Sequence, residues 1–196
     1  IFFHQERWHC FEAHSVLSNP NKRELLKSLN ENSRKTKLQL QEATHVVLTL
    51  GTAWAYELKS TGKTVGNCHK VPQQEFEKKL QSVESVFLSL KKTIELIRGV
   101  NSEAAIIFTV SPVRHIKDGF VENQRSKAHL ISAVHQLLDH FLNSKIAYFP
   151  SYEIMMDELR DYRFYAADMI HPSKIAIDYI WERFYEIWIA PEAESI

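Results

Sequence analysis

The 196-residue chain has no apolar run near the roughly 20 residues that a bilayer-spanning helix needs, so neither a transmembrane segment nor a membrane partner is expected. No secretory leader pattern is visible. Cysteine is scarce: Cys10 and Cys68 make no disulfide framework, which points to a reducing, cytoplasmic setting. An excess of one charge is also lacking. Lys plus Arg and Asp plus Glu number 24 each and the pI is near 7.3, so the electrostatic footprint of a nucleic-acid binder is missing. With no internal repeat and no low-complexity linker, and with 44% hydrophobic residues, the expectation is one globular domain over residues 1–196. The chain opens without Met in "IFFHQERWHCF", and so apolar a start suggests that residues precede Ile1.

What is there alternates. Residues 21–42 read as a helix started by Asn19 and Pro20, with Leu25, Leu26, Leu29, Leu38 and Leu40 as its apolar positions. "THVVLTLG" (44–51) is a continuous apolar run, as in a buried parallel strand. The spacing predicts a long helix over 72–100, from Pro72 to Gly99, with Phe76, Leu80, Val83, Phe87, Leu90, Ile94 and Ile97 on one face. A strand at 104–112, a helix at 122–144, a strand at 145–151 and a last helix at 172–188 follow. Strands alternating with long helices predict an α/β fold around a mostly parallel sheet.

In such sheets ligands bind beyond the carboxyl ends of the strands. Gly51 and Thr52 follow the first strand; Ser111, Arg114, His115 and Asp118 follow the second. Arg114, His115, Lys117, Arg125 and Lys127 form a local basic patch. An Arg at a strand end can clamp a carboxylate or phosphate, or it can pair with Asp118 or Glu122. Ser111 and Ser151 leave strands without the G-x-S-x-G elbow that exposes a nucleophile. In "GNCHK", Asn67 is a candidate oxyanion donor, and the segment reads otherwise as a plain loop. The Cys68–His69 pair and the cluster of His4, His9, Cys10 and His14 match no zinc spacing, so no metal is expected. "YEIMMDELRDYRFY" reads as a short helix and turn held by acid–Arg pairs.

"DMIHPS" sits on the loop before the last helix. Pro172 biases His171 to an extended backbone and starts the helix. Asp168 can fold back onto Nδ1–H of His171 and leave Nε2 basic, which is the division of labour in a Ser-His-Asp triad. Equally, Asp168 or His171 can be a helix cap and nothing more.

"LTLGTAWAYE", "VGNCHKVPQQEF", "IIFTVSPVRHIKDGFVENQRSKA", "YFPSYEIMMDELRDYRFYAADMIHPS" and "YIWERF" resemble successive blocks of the GSCFA domain family, from about Trp8 to Phe184. That family is similar to the SGNH (GDSL-like) hydrolases. The resemblance implies a three-layer α/β/α sandwich, SGNH- or flavodoxin-like, and a serine esterase acting on small-molecule or carbohydrate esters without a cofactor. It implies that Asp168 and His171 belong to the triad and that Gly51 keeps the glycine of the oxyanion block, while Thr52, Asn67, Arg114 and His115 are candidate substrate contacts from the residues themselves. The Gly-Ser-Cys-Phe-Ala block, whose Ser would be the nucleophile, does not occur in the sequence. In that family it lies upstream of the segment with which this chain begins, along with the first strand. "GTAW" stands where the superfamily has G-x-N-D, so Ala53 replaces the oxyanion Asn. A non-catalytic module that binds a small anion or sugar on the same fold is the competing expectation.

Overall fold

The computed structural model describes residues 1–142 and 144–190. In chain order the elements are β1 (Phe2–His4), β2 (Arg7–His9), α1 (Lys22–Glu42), β3 (His45–Leu50), β4 (Trp54–Leu58), β5 (Lys63–Val65), β6 (Phe76–Leu80), α2 (Val83–Val100), β7 (Ala105–Val110), α3 (Phe120–His140), β8 (Ile146–Phe149), α4 (Ser151–Glu153) and α5 (Lys174–Trp188). The fold is α/β. The chain forms two compact units: residues 1–44 with 53–104, and residues 45–52 with the segment from 105 onward.

In the first unit, α1 starts where Asn21 Oδ1 accepts the N–H groups of Arg23 and Glu24, at 2.9 and 3.4 Å. These are donors that a helix start leaves unpaired. α2 starts on the Ser82 hydroxyl, which accepts Ser85 N–H at 3.1 Å. α2 buries Val86, Leu90, Ile94 and Ile97 on one stripe, and Leu25 of α1 is buried with them in the unit's apolar interior. The Asn101 amide closes the far end of α1 by donating to the Leu40 and Ala43 carbonyls, each at 2.9 Å.

The expected helix over 72–100 holds only from Val83 on. Gln73–Glu75 is a 3₁₀ turn, and Phe76–Leu80 is a strand, antiparallel to β4 with Phe76 opposite Leu58 and Leu80 opposite Trp54. Positions 76 and 80 share a face under a period of two as well as under one of 3.6, so their spacing does not distinguish the two. The partner strand decides. Lys78 lies over the Trp54 and Tyr56 rings, and Lys79 bridges Glu57 and Glu77 at 3.3 and 3.0 Å. β4 sits between β5 and β6 in a three-stranded sheet that the strand–helix alternation did not anticipate.

The second unit carries the parallel sheet, in the order β3-β7-β8. His45 to Leu50 pair with Ala105 to Val110, and Ile106 to Thr109 with Ile146 to Phe149. Ile106, Phe108 and Val110 are wholly buried in the central strand. Each such side chain contributes about 1.5–3 kcal/mol of burial free energy. α3 packs on β7 and β8. It occupies 120–140 rather than 122–144; Asn143, within the expected span, lies outside the described residues. After β8, α4 runs into a π-helical stretch, Ile154–Leu159, and the chain reverses at Arg160 with φ +34°. Met155 and Leu159 pack there with Ala176 of α5. Of the expected acid–Arg pairs within this segment Asp161–Arg163 forms, at 3.2 Å, whereas Glu158 pairs with Arg183 of α5 at 3.4 Å.

Candidate functional site

The loop between the 3₁₀ turn Tyr162–Phe164 and α5 is built to present a carboxylate to an imidazole. Tyr165 bridges to Pro172, and Ala166 N–H donates to the His171 carbonyl at 2.8 Å, closing the loop on itself. Met169 reverses the chain with φ +60°. Asp168 Oδ1 then accepts two backbone N–H groups, from Ile170 at 2.9 Å and His171 at 3.0 Å. Its Oδ2 lies 2.6 Å from His171 Nδ1. Those contacts, the His171 N–H first, then the His171 ring and the Ile170 N–H, hold the Asp168 carboxyl down at about 2. An ionised Asp168 fixes the tautomer with the proton on Nδ1. Nε2 makes no hydrogen bond to any described residue, and the His171 side chain is 60% exposed.

Neither residue caps the last helix. Ser173 is the N-cap, its hydroxyl accepting Ala176 N–H at 3.4 Å, and the helix starts at Lys174, two residues after Pro172. The Asp168–His171 geometry therefore owes nothing to helix capping.

Arg114 serves that loop. Its N–H donates to the Ile170 carbonyl and its Nη1 to the Met169 carbonyl, each at 3.2 Å. Its guanidinium lies 3.9 Å over the Tyr165 ring, within the range of a cation–π contact. It pairs with neither Asp118 nor Glu122; Glu122 pairs with Arg125 at 3.0 Å. His115 follows at the same strand end, with its N–H donating to Asn123 Oδ1 at 2.8 Å. Gly51 lies beside it: a β-carbon there would stand 3.4 Å from His115 Nε2. The ends of β3 and β7 and the Asp168 loop are thus one connected rim.

One residue was misplaced by sequence reasoning. Lys127 is not part of a surface basic patch; it is 1% exposed. Its ammonium donates to the carbonyls of Gly51 at 2.7 Å and Ser111 at 2.6 Å, tying the ends of the two strands together. Burial pushes that ammonium down to about 8. Next to it, Ser126 Oγ lies 2.9 Å from Thr52 Oγ1. The signal was in the sequence: Asn123, Ser126, Lys127, Leu130, Ala133, Val134 and Leu137 recur at steps of three and four, and all are buried.

Gly51, Thr52, Arg114, His115, Asp168 and His171 all belong to the second unit, whereas Asn67 belongs to the first. There, Asn67 Oδ1 accepts His69 N–H at 2.8 Å. Ser151 is buried, with its hydroxyl 2.7 Å from Thr109 Oγ1 and donating to the Val110 carbonyl at 2.8 Å. Ser111 Oγ accepts Val113 N–H at 3.2 Å. No helix among the described residues is long and apolar enough to cross a membrane.

The GSCFA family model matches residues 1–184, across both units. The chain belongs to the GSCFA family. A comparison with curated proteins found no match. In this GSCFA protein the "DMIH" segment carries the Asp–His contact, and "SPVRH" and "NQRSKA" supply Arg114 and Lys127, which brace the rim.

Proposed function

We propose that this GSCFA protein is an SGNH-type serine esterase in which Asp168 and His171 are the orienting acid and the general base. The observation that carries the reading is the 2.6 Å Asp168 Oδ2–His171 Nδ1 contact, with Asp168 Oδ1 fixed by two backbone N–H groups and Nε2 left open. His171 Nε2 takes the proton of the attacking Ser Oγ as that oxygen adds to the ester carbonyl. It returns the proton to the departing alcohol, and water then frees the acyl group by the same relay. Backbone N–H groups at the Gly51 turn are the candidate oxyanion donors. The nucleophile comes from the Gly-Ser-Cys-Phe-Ala block. The open edge of β3 supports its delivery there, since β3 pairs only with β7 among the described strands. An apolar groove of about 520 Å³ beside it, lined by Val47, Phe149, Ile177, Ile180, Trp181 and Phe184, supports an adjoining apolar segment packing there. Small-molecule or carbohydrate esters are the expected substrates.

One observation favours a second reading, a binding module for a small anion or sugar: Ala53 stands in the sequence where the superfamily block carries its oxyanion Asn. The full-length gene product separates the two. As an esterase it hydrolyses p-nitrophenyl acetate and is labelled at its Ser by a fluorophosphonate, and His171→Ala abolishes both. Hydrolysis unchanged in His171→Ala refutes the mechanism, and no labelling of the native protein favours the binding module.

A further inference from the structure

The first unit holds a polar cavity of about 260 Å³ whose walls include Gln5, Arg7, His9, Asn67, His69 and Lys70, completed by Ser15 and Ser18. Every one of these side chains is polar. Two are cations and none is a carboxylate, although acidic and basic residues are equal in number over the chain.

Two tight turns shape it. Gln5 and Glu6, joining β1 to β2, have φ +45° and +60°; His69 and Lys70 have φ +49° and +60°, closed by Val71 N–H donating to the Cys68 carbonyl at 3.0 Å. Such turns favour Gly and Asn, because a β-carbon is strained at positive φ. Here neither turn has either residue at its centre, and both carry lining side chains. The Asn67 hydrogen bond to His69 N–H braces the second turn, and Phe2, stacked on Phe11 with centroids 4.0 Å apart, meets the His69 ring edge-on.

The hydrogen bonds define what the walls offer. His9 spends both ring nitrogens, Nε2 on the His4 carbonyl at 3.0 Å and Nδ1 on the Ser18 hydroxyl at 2.7 Å. His69 Nε2 donates to the Cys10 carbonyl at 2.6 Å, and the Ala13 backbone also acts on the ring. That fixes its tautomer with a bare lone pair on Nδ1, and Nδ1 is buried with no hydrogen-bond partner. Burial lowers the affinity of the ring for a second proton, which keeps that lone pair available. A buried acceptor left unpaired costs stability unless a donor arrives. Against this single acceptor stand several donors. Arg7 commits one nitrogen to the Ser18 carbonyl, while Asn67 Nδ2, the Lys70 ammonium and the Gln5 amide have no partner among the described residues. The metal alternative fails, since no three His, Cys, Asp or Glu among the described residues are placed to hold an ion.

We propose that this cavity binds a small hydroxylated anion, of the chemical class of a sugar acid or a sugar phosphate. Arg7 and Lys70 take the anionic group, and His69 Nδ1 accepts a hydrogen bond from a ligand hydroxyl. The site is built wholly within the first unit and does not depend on the esterase reading, because its test measures binding and not hydrolysis.

The test is titration of the protein with glucuronate, glucose 6-phosphate, glucose and inorganic phosphate, followed by calorimetry and by the ¹⁵N shift of the His69 imidazole. One of the two hydroxylated anions binds saturably and moves the His69 Nδ1 resonance. Glucose binds at least about tenfold more weakly, and Arg7→Gln with Lys70→Gln weakens the anion about a hundredfold, at roughly tenfold per lost charge contact. Both side chains are exposed at the cavity mouth, so the double variant is expected to fold; circular dichroism checks this. A preference for glucuronate or for glucose 6-phosphate identifies the anionic group. Saturable binding by none of the four overturns the proposal. So does anion binding that survives the double variant, or inorganic phosphate binding as tightly as glucose 6-phosphate with His69 unmoved.

Discussion

Replacing Lys127 with Met tests whether a buried ammonium holds the rim together. The ammonium is almost fully buried and donates to the Gly51 and Ser111 carbonyls at 2.7 and 2.6 Å. Two opposed quantities follow. Met keeps the volume and the apolar stem but leaves two carbonyls without donors, at about 1–3 kcal/mol each. It also removes a desolvated charge whose pKa has fallen from 10.5 to about 8. At about 1.36 kcal/mol per tenfold in proton affinity, that fall corresponds to about 3 kcal/mol. Because relaxation and water penetration soften the penalty on a buried charge, about 2 is a fair figure. Lys127→Met is therefore expected to destabilise the protein by about 0–4 kcal/mol at pH 7, where Lys127 is charged in both states.

The pH dependence separates this account from simple loss of packing. Between the folded value near 8 and the unfolded 10.5, the unfolded chain binds the proton and the folded chain releases it, so stability rises with pH across that window. Burial raises the Cys68 thiol and the Tyr148 and Tyr152 hydroxyls, which act in the opposite direction on stability at alkaline pH. Both proteins carry those groups, so the difference between them isolates Lys127. Urea unfolding of native and variant protein at pH 7, 8, 9 and 10 should show the native advantage growing by about 2 kcal/mol, most of it between pH 8 and 10. A gap that stays constant with pH refutes the buried-charge account. A gap that shrinks reverses its sign.

Two further variants test the Asp168 loop in the full-length gene product. Asp168→Asn keeps an oxygen for the Ile170 and His171 N–H groups, but its amide donates toward His171 Nδ1 and moves the ring proton to Nε2. Esterase kcat should fall by about 10³–10⁴ with the circular dichroism unchanged. In the native protein Asp168 stays ionised down to about pH 2, so an acid loss of activity between pH 4 and 7 that persists in Asp168→Asn is assigned elsewhere. Arg114→Ala removes the Tyr165 stack and the Nη1 bond to Met169 while leaving the Asp168–His171 pair itself. It should cost about tenfold to a hundredfold in kcat with little change in KM, and Arg114→Lys should not restore it because an ammonium cannot stack flat on the ring. A change confined to KM would instead make Arg114 a substrate contact.

The central strand of the parallel sheet was legible because it is buried almost along its whole length, whereas β3, also expected to be buried, leaves Val47 exposed at the sheet edge. "AIIFTV" has one environment and therefore one reading, and β7 falls at 105–110 inside the expected 104–112. β6 was illegible for the opposite reason. "FEKKL" is a half-exposed strand with Phe76 and Leu80 four apart, and that spacing serves helix and strand equally until β4 supplies a ladder. The Asp168–His171 contact was legible because three residues and a following Pro leave the side chains few ways to meet. The role of Arg114 was not, because its partners are the backbone carbonyls of Met169 and Ile170 and the ring of Tyr165, more than 50 residues away in sequence, and a carbonyl carries no side-chain signature.

Lys127 shows how the charge of a residue can mislead where its spacing does not. Grouped by charge with Arg114, Lys117 and Arg125 it reads as an anion clamp; placed by spacing on the 123–126–127–130–134–137 stripe it must be buried, and a buried lysine needs oxygen partners. The acceptors within reach of that stripe are the carbonyls that end β3 and β7, which have no further strand residue to bond. A cation bound there closes the sheet without occupying the rim above it. This leaves the exposed edge, with His171 Nε2 and the Gly51 turn, open to the substrate of the proposed esterase. The Lys127 donors thus hold the Gly51 turn from beneath the rim. In Lys127→Met, Gly51 and Ser111 amide exchange should rise ahead of that of the buried Phe108 amide. Equal acceleration at all three would mean that Lys127 stabilises the sheet as a whole and does not specifically hold its rim.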